Sequence, residues 1–119
     1  MKTILVVDDE LGAAEVLGLI LAEEGYRTFS AVNGALALAQ ARDVVPDLLV
    51  VDYMMPLMDG AELARTLRAD PAFDRTRIIL NSGLPEYVIR EQFVGYDAFL
   101  RKPFKVEALL ELVESLIGR

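Results

Sequence analysis

The chain has 119 residues, 54% apolar and 26% charged, with a mean hydropathy of +0.35; that is one globular domain with one core, and too little chain for two. Cysteine and histidine are both absent, which excludes disulfides, thiolate and imidazole metal sites, Ser-His-Asp and Cys-His catalysis and an internal phosphohistidine, and fits a reducing compartment. Twelve basic residues against nineteen acidic leave a net charge of −7, which disfavours adhesion to nucleic acid or anionic membrane.

The first apolar run, Ile4 to Val7, is stopped by Asp8 too early for a signal peptide, and predicts a strand. A helix is expected over Leu11 to Glu24, closed by Gly25. Within it lies the longest run of apolar and glycine residues, Val16 to Ala22, far below the roughly 18 residues of a membrane span. A soluble, cytoplasmic protein without membrane insertion is therefore expected. Tyr26 to Ala31 reads as a second strand and Gly34 to Arg42 as a second helix. Pro46 precedes a third strand, Leu48 to Val51, and Asp59-Gly60 opens a third helix, Ala61 to Ala69, closed by Pro71. Ile78 to Leu80 follows as a strand. Pro85 suits the first turn of a helix over Glu86 to Val94, where Ile89 and Phe93 stand four apart before Gly95. Ala98 to Leu100 is a weaker strand. The last helix is the clearest, with Val106, Leu109, Leu110, Val113, Leu116 and Ile117 on one face.

Five strand–helix units in succession define an α/β chain. A strand as apolar as Leu48-Leu49-Val50-Val51 is covered on both faces, which predicts a parallel sheet with helices on either side. Right-handed crossovers then give a doubly wound (βα)5 fold, flavodoxin-like in its order 2-1-3-4-5, with the ligand crevice at the carboxyl ends of the strands.

Those ends carry Asp8-Asp9-Glu10, Asp52, Asn81-Ser82-Gly83 and Arg101-Lys102-Pro103. Carboxylates gathered in one crevice repel one another, so either some take up protons or a cation lies between them, and an all-oxygen set selects a hard cation, best magnesium, with manganese able to substitute. An anionic loop after the first strand tells against a directly held nucleotide or flavin, whose phosphates want a neutral, glycine-rich loop. With a metal-facing Asp, a Ser hydroxyl and a Lys ammonium, the set suits phosphoryl transfer to a carboxylate. Asp52 is then the nucleophile, Lys102 and the metal neutralise the phosphoryl oxygens, and Ser82 donates a hydrogen bond. Each residue also has a plain structural role open to it: Asp9 as a helix cap, Asp52 in a loop, Ser82 in a turn, Lys102 as a solvated charge.

The segments ILVVDDE (4–10), LLVVDYMMPLMDG (48–60), IILNSG (78–83) and FLRKPF (99–104) together resemble the receiver domains of two-component response regulators, over essentially the whole of residues 1–119 as a single domain. The resemblance implies Asp8 and Asp9 as magnesium carboxylates, one acting through water. It makes Asp52 the phosphoacceptor and third acidic ligand, and the Met54 backbone carbonyl a further ligand. Ser82 and Lys102 would bind the phosphoryl group, with Lys102-Pro103 a cis peptide and Phe99 the aromatic switch that turns inward when Ser82 is drawn to the phosphate. The chain departs from the family pattern at Asn81, where many members are apolar, and at Arg101, a second cation beside Lys102.

The function implied is a phosphorylation-activated signalling switch of a two-component or phosphorelay system. Its partners would be a sensor histidine kinase or histidine phosphotransfer protein, which supplies the phosphohistidine, and a downstream protein target, with no direct contact to nucleic acid. It would not be an enzyme on free metabolites, catalysing only its own phosphorylation and dephosphorylation, and would be a stand-alone receiver or one excised from a longer protein. Two other readings compete: a pseudo-receiver that never carries phosphate, and a magnesium-dependent aspartate-nucleophile phosphatase, whose DxDx[TV] pattern after the first strand is not matched by the DDELG found here. The charges Glu86, Arg90, Glu91, Asp97, Arg101 and Lys105 on the expected output face are mixed in sign and indicate no clear partner type.

Overall fold

A computed structural model describes residues 1–10 and 12–119. Strands β1 (Thr3–Val7), β2 (Arg27–Ala31), β3 (Leu48–Asp52), β4 (Arg77–Ser82) and β5 (Ala98–Arg101) alternate with helices α1 (Ala13–Glu23), α2 (Gly34–Val44), α3 (Gly60–Arg68), α4 (Glu86–Arg90) and α5 (Val106–Ile117). A 3-10 turn at Pro71–Phe73 follows α3. The strands form one sheet in the order β2-β1-β3-β4-β5, every neighbouring pair parallel. This is the doubly wound α/β arrangement expected from the sequence. Among the described residues no helix is long and apolar enough to cross a membrane.

Alternation along the strands sorts the core into two. Ile4, Val6, Leu48, Val50 and Ile79 pack with Leu21, Leu109 and Val113 of α1 and α5. Their neighbours Leu5, Val7, Leu49, Val51, Ile78 and Leu80 pack with Ala37, Leu63, Leu67 and Ile89 on the α2, α3 and α4 side. All five residues of β3 are buried, and each fully buried Leu or Ile contributes roughly 1.5–3 kcal/mol relative to exposure. The sheet is thus a shared wall between two apolar layers.

Several boundaries moved. β3, β4 and β5 run on to Asp52, Ser82 and Arg101, so polar residues assigned to strand ends or the turns after them are held by the ladder itself. β2 begins at Arg27 because the Tyr26 side chain is buried against the α1–α5 layer, its hydroxyl donating to the Gly118 carbonyl at 2.7 Å. The expected start of the first helix, Leu11, lies outside the described residues; α1 is capped by Gly12 in the left-handed region, φ 78°. The largest difference is α4, which ends at Arg90 rather than Val94. Two arginines of α3 reach the carbonyls beyond it: Arg65 Nη1 donates to Gln92 O at 2.9 Å and Arg68 Nε to Gly95 O at 3.0 Å. Guanidinium donors satisfy this stretch in place of a continued helical ladder.

The turn between β3 and α3 is fixed by close approach. The Gly60 amide donates to Tyr53 O at 2.8 Å, and a Cβ at Gly60 would lie 2.5 Å from the Asp52 carbonyl oxygen. Asp59 caps α3, accepting from the Glu62 amide at 2.8 Å. Between them and the strand, Met58 packs so closely on Gly34, the first residue of α2, that a Cβ there would meet its sulfur at 2.7 Å. Both glycines are needed for the turn to sit down on the sheet beside Asp52.

Candidate functional site

Asp8 follows Val6 by two residues and Asp52 follows Val50 by two, so both carboxylates emerge on the sheet face that carries α1 and α5. Both are buried, at 3% and 7% exposure, whereas Asp9 is exposed. One carboxylate oxygen from each of the three lies within 4.8 Å of the others. Lys102 reaches in from the end of β5 to within 3.2 Å of Asp8 Oδ2 and of Asp52 Oδ2. The Lys102–Pro103 peptide is cis.

Burial, reinforced by the neighbouring Asp8, holds the Asp52 carboxyl above its ordinary value, against the opposing pull of Lys102 and a hydrogen bond from the Met54 backbone. Burial also disfavours the Lys102 ammonium, but the two carboxylates outweigh it and leave that group above its ordinary value. Three carboxylates against one ammonium leave two negative charges in a crevice where two of the acids are shielded from water. A divalent, oxygen-preferring cation balances that charge, and the donor set fits one.

Ser82 stands on the other face. It follows Leu80 by two residues, is fully buried, and its hydroxyl accepts from the Leu84 amide at 2.9 Å. Phe99 shares that face, half-buried against the α2–α3–α4 layer, with its ring 6.2 Å from that of Tyr96. Met54 has an exposed side chain two residues past Asp52. The structure therefore gathers Asp8, Asp9, Asp52 and Lys102 into one cluster and sets Ser82 and Phe99 behind it across β4. The plain structural roles fare unevenly: α1 has no side-chain cap, which removes that role from Asp9. Asp52 belongs to a strand, Lys102 is paired rather than solvated, and Ser82 does make a turn hydrogen bond.

Four contacts or their absence become visible only in the structure. Asn81 is 2% exposed and its Oδ1 has no hydrogen-bond partner. Tyr96 OH donates to Glu86 Oε2 at 2.7 Å, bridging the segment before β5 to the start of α4, and burial followed by the Glu86 bond pushes that phenol up to about 12. Asp97, assigned from the sequence to the output face, pairs with Arg68 at 2.8 Å and Arg77 at 3.2 Å and accepts from the Ile78 amide at 2.7 Å. Arg101 likewise donates to Gly83 O at 2.8 Å. Arg68 and Arg77 were the available signal for the Asp97 tie.

A five-stranded doubly wound sheet with buried acids at the ends of β1 and β3 and a lysine after β5 defines the receiver class of signalling domain. The chain belongs to the response regulator receiver domain family, whose model matches residues 4–114. It is 34% identical over 118 residues to the DNA-binding response regulator MtrA of Mycobacterium tuberculosis, a match covering 99% of this chain and 51% of that protein. The chain spans about half the length of the curated relatives it matches. Among solved structures it is similar to the response regulator TrrA of Thermotoga maritima in complex with Mg(2+)-BeF. That match has 35% identity and a TM-score of 0.88, over 98% of this chain and 100% of that one. The signal receiver domain of a histidine kinase from Syntrophus aciditrophicus matches at 37% identity and a TM-score of 0.89, over 99% and 91% of the two chains.

Proposed function

We propose that residues 1–119 form one phosphoacceptor domain that takes a phosphoryl group from a partner's phosphohistidine onto Asp52 and changes its α4–β5–α5 surface in response. The observation that carries this reading is the Lys102 ammonium 3.2 Å from two buried carboxylates, with Asp9 in reach of the same point. An Asp52 oxygen attacks phosphorus in line, the P–O bond forms, and the P–N bond breaks with its electron pair passing to the imidazole. Lys102 stabilises charge on the transferring oxygens. Magnesium held by Asp8, Asp9, Asp52 and the Met54 carbonyl would supply further neutralisation and orientation; manganese would serve in its place. Hydrolysis by water returns the free carboxylate, so the domain acts only on itself and not on a free metabolite.

The partner reading is a sensor histidine kinase or phosphotransfer protein in the cytoplasm. It is supported by the receiver-family match and by the likeness to the receiver domain of a histidine kinase, and a cavity of about 630 Å³ lined by Asp8, Val16, Lys102 and Pro103 leaves the cluster accessible. Ser82 and Phe99, on one face behind the cluster, are the switch pair: a phosphate on Asp52 draws the hydroxyl forward, and Phe99 turns into the room left, which shifts the population of surface states that a downstream target reads.

The test is incubation with magnesium and acetyl phosphate followed by intact mass. One added phosphoryl group is expected in the wild type and none in Asp52→Asn. No adduct, or one that persists in Asp52→Asn, overturns the assignment.

A further inference from the structure

Asn81 is a buried amide with an unused acceptor, placed next to the acidic cluster. It is the register partner of Asp52 in β3 and of Leu100 in β5. It follows Ile79 by two residues and so shares the α1–α5 face with Asp8, Asp52 and Lys102, while Ser82 turns away. Its backbone carbonyl is satisfied by the Tyr53 amide at 2.8 Å, but its side-chain Oδ1 is not satisfied. A buried acceptor left unpaired is destabilising, and an apolar side chain of that size would avoid the cost. The other such atom among the described residues, Gln40 Oε1, lies on α2 away from the cluster.

The lysine has the complementary surplus. Its ammonium carries three donors and divides itself between Asp8 Oδ2 and Asp52 Oδ2 at 3.2 Å each, longer than a well-formed charge-assisted bond of about 2.7–2.9 Å. Asp8 and Asp52 are also the carboxylates that would hold a divalent cation, which would compete with the ammonium for them. A lysine evicted within a half-buried crevice needs another acceptor or must leave for water.

We propose that Asn81 is a positioning residue for Lys102: its Oδ1 receives the ammonium when a cation occupies the carboxylates, which lowers the cost of loading and keeps the lysine beside Asp52. The inference rests on the phosphoacceptor reading above for its purpose, but its geometry involves only the ion, the lysine and the amide.

The experiment is a double-mutant cycle read by calorimetric titration of Mg2+, with a cooperative melt confirming the fold of each protein. Asn81→Leu, and Asn81→Ala as a smaller second variant, are expected to bind Mg2+ roughly tenfold more weakly, the loss of one hydrogen bond to a charged group. In a Lys102→Met background the same Asn81 substitutions are expected to change nothing, because no ammonium remains to be received. Unchanged affinity in both Asn81 variants overturns the proposal, and so does equal weakening with and without Lys102, which would mark a packing effect. Because the titration reads the ion alone, its outcome is separate from phosphoryl transfer to Asp52, which intact mass reports.

Discussion

Asp52 keeps its carboxyl raised although the Lys102 ammonium lies 3.2 Å from its Oδ2. Desolvation at the end of β3, with Asp8 beside it, outweighs the ion pair.

The sign of its pH dependence follows. A carboxyl whose folded value exceeds the unfolded 3.8 binds its proton more tightly when folded, so its contribution is most favourable at low pH and declines as pH rises from 3.8 through the raised value. Asp52→Asn removes that decline. At neutral pH the variant is expected to be more stable than the ion-free wild type by roughly 1 kcal/mol, about 3–5 °C in Tm. The gap should close below pH 3.8. A gap independent of pH, measured by calorimetry in chelator, would contradict the account.

Magnesium should reverse that order. An ion bound by the native carboxylates stabilises by mass action, on the order of 2.7 kcal/mol at a hundredfold excess over Kd, and Asp52→Asn should gain much less. The readout is the Tm of both proteins across a Mg2+ series. Equal gains in the two would place the ion elsewhere.

Gly60→Ala sets a methyl 2.5 Å from the Asp52 carbonyl oxygen and 2.9 Å from Tyr53 Cα. Backbone cannot retreat as a side-chain tip can, so a loss of about 1–3 kcal/mol is expected. Phosphoryl uptake from acetyl phosphate should fall with it, because the displaced strand end is the one that carries Asp52. Wild-type uptake in a folded Gly60→Ala protein would show that the turn's close approach is not needed for the site.

Tyr96→Phe keeps the ring that packs, tilted, between Phe93 and Phe99 with centroids 6.2 Å away on each side, and deletes the hydroxyl bond to Glu86. The expected cost is about 1 kcal/mol, with faster amide exchange confined to α4. Arg68→Ala removes donors to Gly95 O, to Thr76 O at 2.7 Å and to Asp97, and should loosen residues 91–97 with a loss of about 2 kcal/mol. Exchange rates unchanged in those segments would mean that neither tie holds α4.

Strand runs such as Leu48 to Val51 and the spacing from Val106 to Ile117 made the sheet order and the last helix legible from the sequence, because both follow from which residues must leave water. The acidic cluster was legible too, since strand ends converge wherever a parallel sheet is doubly wound. Less visible was what depends on side-chain reach across the chain. The spacing of Ile89 and Phe93 correctly marked an inward stripe, with Ile89 fully buried, but it could not reveal that Arg65 and Arg68, more than twenty residues earlier, would claim the carbonyls that end α4. Asp97 and Arg101 looked like surface charges for the same reason. Asn81 was noted as unusual, yet only the register with Asp52 gives it a neighbour.

Asn81 and Ser82 are consecutive in β4 and therefore project to opposite faces, one towards the carboxylates and the other towards Phe99. The two faces have separate packing partners joined through the strands' own backbone. Away from Asp52, Ser82 and Phe99, substitutions in the α2–α3–α4 layer and in the α1–α5 layer should accordingly add nearly independently. A single peptide unit of β4 is thus the seam between the ion chemistry on one side of the sheet and the α4 end of the output surface on the other.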